Sequence, residues 1–171
     1  MNNIMLDIET LGTSVDSVVI QVAMIKFDRD GTLGESLSVR LNRDEQFKLG
    51  LSYTQSTLDW WNKTNPELLK TLLTEDVSSL NEGLTKISNF ISRTDYLWCH
   101  ATFDAPILSN LFEAAGMKAP WGYKNVRDIR TLVDLTQLNL SDYNWVAEKT
   151  HDALDDCKFQ IKYCCDAFKR I

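Results

Sequence analysis

The chain is poor in the features that define several large protein classes. It has three prolines, two histidines and no long apolar run in 171 residues. Without a long apolar stretch nothing in it reads as a membrane span, and Met1-Asn2-Asn3 lacks the basic start and apolar segment of a signal peptide. A cytoplasmic location is the expectation that follows. The four cysteines, Cys99, Cys157, Cys164 and Cys165, form no C-x-x-C pair, so reduced, buried thiols are expected rather than a disulfide framework. Positive charge is scarce as well: 18 Lys and Arg stand against 24 Asp and Glu, a net charge of -6. The basic residues are scattered with no run of five, which excludes a wide basic surface that coats long nucleic acid. A short site at a strand end is compatible with that charge, particularly where clustered acids hold cations.

What is present is ordinary globular material, 44% hydrophobic and 25% charged, with no repeat, linker or low-complexity stretch. Residues 1–171 are therefore expected to form one domain. Strands are predicted at Asn3 to Glu9, Ser17 to Phe27 and Leu37 to Leu41, the last two joined through Asp30-Gly31, which makes an antiparallel meander. Helical signals follow. Ser56-Thr57 is a candidate cap, and Asn65-Pro66-Glu67 combines a cap, a proline and an acid in the first turn. Leu80, Leu84, Ile87, Phe90 and Ile91 recur at helical spacing. Tyr96 to Cys99 is a short buried strand, Ala105 to Ala115 a helix stopped by Gly116, and Val126 to Ile129 either a strand or a helix start. Leu154, Cys157, Ile161, Cys164, Cys165 and Phe168 share one stripe of a closing helix. Strands followed by alternating helices and strands predict an α/β mixed sheet covered by helices.

Three groups of acids can carry chemistry. Asp7 and Glu9 lie two apart in the first strand, so they share the face of Met5, opposite Ile4, Leu6 and Ile8. Burying two carboxylates is costly unless something positive compensates, and a solvent-reaching strand end is the plain alternative. Asp104 follows the buried strand and is equally a candidate helix cap. The third group, His151-Asp152-Ala153-Leu154-Asp155-Asp156, heads the last helix. Periodicity does not choose between Asp155 and Asp156, which lie almost equally far from the apolar stripe on opposite sides.

Asp7-Ile8-Glu9-Thr10, then Phe103-Asp104, then His151-x-Ala153-x-x-Asp156, in this order, resemble the three motifs of the DnaQ-like DEDDh 3'-5' exonucleases. Asp7 to Thr13, Trp60-Trp61, Arg127 to Leu132 and His151 to Asp156 are similar to the phage and bacterial branch related to the exoribonuclease RNase AS. The resemblance implies a ribonuclease H-like fold: a mixed sheet, antiparallel meander plus parallel strands, flanked by helices. It implies that Asp7, Glu9, Asp104 and Asp156 hold two divalent cations, Mg²⁺ or Mn²⁺, with His151 as general base, and it selects Asp156 over its neighbour Asp155. The implied substrate is the 3' end of single-stranded RNA or DNA, and the implied assembly a homodimer. A phage origin would make the compartment the host cytoplasm. His100 departs from the pattern, since many members carry Asn or a small residue before the Phe-Asp pair.

The residue types suit phosphodiester hydrolysis. The anionic substrate repels an attacking hydroxide and its 3'-oxygen leaves poorly; two cations roughly 3.5–4 Å apart answer both difficulties. Hard cations take oxygen donors, which accounts for carboxylates rather than thiols. An imidazole titrating near pH ~6.5 can take a proton from the attacking water. Thr10 and Leu11 stand where the resemblance places contacts to the terminal nucleotide, and Leu11 is either a wedge against the last base or a plain loop leucine. Phe103 and Trp61 join them as candidate substrate contacts. Adjacent helical positions diverge by about 100°, so one of Trp60 and Trp61 belongs to the core and the other can stack on a base. Arg127 and Arg130 either contact phosphate or pair internally with acids. A non-catalytic nucleic-acid-binding module of the same fold is the alternative; it has no use for an acidic cluster that repels phosphate.

Overall fold

The computed structural model describes residues 1–144 and 150–171. Its centre is strand β1 (Asn3–Thr10), every residue of which is buried. β1 pairs antiparallel with β2 (Val19–Phe27), and β2 antiparallel with β3 (Leu33–Leu41). On the other side β1 pairs parallel with β5 (Tyr96–Cys99), and β5 with β6 (Val126–Asp128). The two-residue strand β4 (Val77–Ser78) closes the far edge against β3, giving the order β4-β3-β2-β1-β5-β6. The expected meander with added parallel strands is thus the observed sheet.

Helices cover both faces. α2 (Gln55–Thr64), α3 (Pro66–Thr74), α4 (Leu80–Phe90) and α5 (Asp104–Ala114) contribute to the core beneath Ile4, Leu6 and Ile8, into which Trp61, Leu72, Leu84, Ile87 and Leu108 fill. α6 (Ile129–Leu135) and α7 (Ala153–Phe168) cover the opposite face, where Met5, Ile25 and Trp98 meet Ile129, Cys157, Ile161 and Cys164. The alternation along β1 therefore sends Asp7 and Glu9 to the side roofed by α7, as the period-two pattern requires. Among the described residues no helix is long and apolar enough to cross a membrane. All four cysteines are free and buried, and burial pushes the thiols of Cys164 and Cys165 up to about 12 and 11.

Several expectations are corrected. β3 begins at Leu33, not Leu37, because Leu33 and Ser36 pair with β2 while the first four residues stay exposed and so carry no apolar pattern. β2 begins at Val19; Ser17 instead bridges to Ser52. The cap position of α2 is Thr54, ahead of Ser56-Thr57, and its side chain makes no cap bond. Val126 to Ile129 is both alternatives in turn, strand through Asp128 and helix from Ile129. The short helix α1 (Arg43–Lys48) had no periodic signal; it delivers Gln46, which bonds to both the N–H and the C=O of Val19. Asn65 caps α3 as expected, accepting from the Leu68 N–H.

Candidate active site

Asp7 and Glu9 reach the site from the end of β1, where the pairing with β2 shifts register between Glu9 and Thr10. Such a bulge ends regular pairing and re-aims side chains. Beyond it the chain turns through Gly12, where a Cβ would stand 2.6 Å from Ser17 Oγ, so any larger residue has to displace that hydroxyl. Asp104 is not the cap of α5 but its first residue, Phe103 holding the cap position; its Oδ2 turns back to accept the His100 N–H at 2.8 Å. Asp156 sits in the first turn of α7, whose cap is Asp152, accepting from the N–H groups of Leu154 and Asp155. Gln21 on β2 locks that helix start to the sheet: its Nε2 donates to Asp152 at 3.0 Å and its Oε1 accepts from Ala153 N–H at 3.0 Å. His151 precedes the cap with a positive φ of 59°, a conformation a β-carbon opposes and which recurs at functional sites.

These elements bring Asp7, Glu9, Asp104, His151 and Asp156 to one pocket, together with Ile8, His100, Phe103, Phe159 and Gln160. All four acids are between 1 and 9% exposed. Two groups of donors stand out among the described residues: Asp7 with His100 and Asp104, and Glu9 with His151 and Asp156. In each, one atom per residue lies within 4.8 Å of the others. Burial is the main reason the Asp104 carboxyl is pushed up to about 7, against bonds from the His100 and Ile8 N–H groups that favour the anion. Gathered carboxylates withdrawn from water call for positive charge, and hard oxygen donors suit divalent cations. Gln160 Nε2 donates to Asp7 Oδ1 at 2.6 Å, while its own buried Oε1 has no hydrogen-bond partner among the described residues. Residues and group therefore fit. Asp155 turns away, its carboxylate 2.9 Å from Lys158 Nζ on the helix surface, so Asp156 alone of the pair enters the pocket.

A second cleft opens from the first across Ile8, Glu9, Phe103 and His151, and continues along Thr10, Thr13, Ser56, Thr57, Trp60 and Trp61. Thr10 and Phe103 thus line this cleft. Leu11 does not: it is 2% exposed within the core, with its N–H bonded to Val18 C=O. Trp61, expected as the stacking indole, is 1% exposed and donates its Nε1–H to Thr10 C=O at 3.0 Å. The exposed indole is Trp60, 41% accessible, whose ring meets the His151 imidazole edge-on at 4.7 Å between centroids. The helix rotation that separates the two was legible; which one faced inward depended on the β1 loop. Gln160 was missed, although its position four residues after Asp156 places both on one side of α7. Arg130 pairs with Asp128 and also bonds to Thr102, whereas Arg127 bonds to the Lys124 and Val126 carbonyls rather than to an acid.

Comparison with solved structures places this sheet and its helices with known nucleases. Exonuclease I of E. coli in complex with a dA16 oligonucleotide superposes with a TM-score of 0.73 at 15% identity, over 98% of this chain and 41% of that one. S. pombe Pop2p in its Mg²⁺- and Mn²⁺-bound form matches with a TM-score of 0.61 at 11% identity, over 99% of this chain and 83% of the other. The chain thus spans about two fifths of the Exonuclease I polypeptide. The fold is the ribonuclease H-like one, and it sets four buried acids on one pocket. An exodeoxyribonuclease of Enterobacteria phage T4 is 28% identical over 197 aligned positions, covering 94% of this chain and 86% of that protein. Residues 2–168 match the family described as the 3'-5' exoribonuclease Rv2179c-like domain, and the chain belongs to it.

Proposed function

We propose that this exonuclease hydrolyses single-stranded nucleic acid from its 3' end and releases nucleoside 5'-monophosphates, using two divalent cations, Mg²⁺ or Mn²⁺. The observation that carries the reading is the pair of donor groups, Asp7 with Asp104 and Glu9 with Asp156, facing one pocket from β1, α5 and α7. When bound there, such ions would activate water and stabilise the departing 3'-oxygen. Asp7, Glu9, Asp104 and Asp156 hold them. His151, at the mouth between pocket and cleft, takes the proton from the attacking water, and Trp60 braces its ring against rotation. Phe103 and Thr10 border the cleft in which the terminal nucleotide lies.

RNA is the favoured strand, supported by the exoribonuclease family that the chain matches. The phage exodeoxyribonuclease and the oligonucleotide complex of Exonuclease I favour a second reading, DNA. A cytoplasmic setting agrees with four unpaired cysteines. The implied homodimer is checked by light scattering. RNA and DNA oligonucleotides labelled at either end, incubated with Mg²⁺, Mn²⁺ or a chelator, test the whole reading on one gel. Shortening from the 3' end that a chelator abolishes is expected; cleavage that persists in chelator, or that starts at the 5' end, overturns it.

A further inference from the structure

We propose that His100 is an additional, nitrogen ligand of the cation at Asp7 and Asp104, and that it biases this site toward transition-metal ions over Mg²⁺. The inference rests on the preceding reading that Asp7 and Asp104 hold a cation.

Four observations meet at His100. Its imidazole offers a donor atom within 4.8 Å of donors from both Asp7 and Asp104, so the three can converge on one ion. Its Nδ1 lies 3.9 Å from Asp104 Oδ2, near enough for the two atoms to share one ion. The backbone of the same residue donates to that carboxylate at 2.8 Å, which fixes the relation of ring and acid at the turn between β5 and α5. The side chain is 28% exposed and borders the pocket, so the ring stands at its wall rather than in the core.

The chemistry of the donor set then differs from an all-oxygen one. Mg²⁺ takes carboxylates and waters and gains little from imidazole, whereas nitrogen donors strengthen binding along the series from Mn²⁺ to Co²⁺ and Zn²⁺. The Glu9 side carries a histidine too, but the reading above assigns the His151 imidazole to the attacking water. The two rings therefore serve different purposes on opposite sides of the same pocket, and they can be told apart.

The test titrates Mn²⁺, Co²⁺ and Mg²⁺ into the wild type, His100→Asn, His100→Gln and His151→Asn by calorimetry. Each Mn²⁺-loaded protein is then read by pulsed EPR for coupling to ¹⁴N. The wild type and His151→Asn are expected to show imidazole nitrogen coupling, and both His100 variants to lose it. Co²⁺ affinity is expected to fall about tenfold or more in the His100 variants while Mg²⁺ affinity moves by less than about threefold. Circular dichroism melts confirm that the variants are folded. Mn²⁺ binding in the wild type with no nitrogen coupling, or coupling undiminished in His100→Asn, overturns the role of His100 and leaves the cation site standing. Failure of the wild type to bind Mn²⁺ at all overturns both.

Discussion

Gln160 and His151 illustrate two ways in which a single side chain can govern this site. Gln160 touches no reacting group, yet its amide fixes the rotamer of Asp7 from the buried face of α7. Partners that orient metal-binding carboxylates typically account for 10–100-fold in affinity, so Gln160→Leu is expected to weaken Mn²⁺ binding by about that factor while the fold persists. Calorimetry alongside a thermal melt checks both halves. In the proposed mechanism His151 acts differently, on a proton. Replacing it with Asn is expected to lower turnover by roughly 10²–10⁴ while Mn²⁺ affinity stays within a few-fold, as single-turnover kinetics and calorimetry would show. Equal losses in both measurements would make His151 a ligand and not a base. At this scale the sequence was largely legible, because acids and histidines in a fixed order are discrete signals. Trp61 and Leu11 were not, since their burial is set by neighbours: the Thr10 carbonyl that receives the indole N–H, and the Val18 and Thr54 backbones that hold the loop.

Among the elements, α7 carries the heaviest duty. One side of the helix packs Cys157, Ile161 and Cys164 onto the sheet, and its first turn presents Asp156 to the pocket. Both depend on the helix beginning where it does. Asp152 caps it and is gripped by Gln21 from β2, so Asp152→Ala removes a cap and also leaves the buried Gln21 amide with Ser38 as its remaining acceptor. A loss of about 1–2 kcal/mol in urea unfolding is expected, with turnover falling further than the modest instability explains because Asp156 rides on the same turn. Asp152→Asn, which keeps the capping oxygen, is expected to recover most of the stability. The sequence displayed this helix through its apolar stripe and its acidic head. It could not display the Gln21 link, which joins residues 131 apart. The exposed half of β3 and the short helix α1 were equally hidden, the first because strand pairing there is made by backbone alone, the second because one buried glutamine leaves no periodic trace.

For the whole molecule, the buried acids make stability depend on pH and, on the proposed reading, on cations. Asp104 has its carboxyl raised by burial, from the ordinary value of 3.8 to about 7. Between these values the folded chain binds a proton that the unfolded chain has released, so this group's contribution to stability is present at low pH and is lost as pH rises through about 7. Without cations the protein is therefore expected to melt at a lower temperature at pH 8 than at pH 6, and Asp104→Asn to flatten that dependence. Mn²⁺ should raise the melting temperature most at the higher pH, where the carboxylate is charged and ready to bind it. A melt that ignores Mn²⁺ at pH 8 would contradict the donor assignment for the entire pocket. What the linear order of residues determined by itself was the alternation along β1, the amphipathic stripes of the helices and the identity of the acids, because these follow from local periodicity and residue chemistry. Which side chains meet was decided by the tertiary structure: β1, α2, α5 and α7 converge from distant parts of the chain, and only that convergence turns Asp156 inward and Asp155 outward, buries Trp61 and exposes Trp60, and draws Asp7 alongside His100 and Asp104.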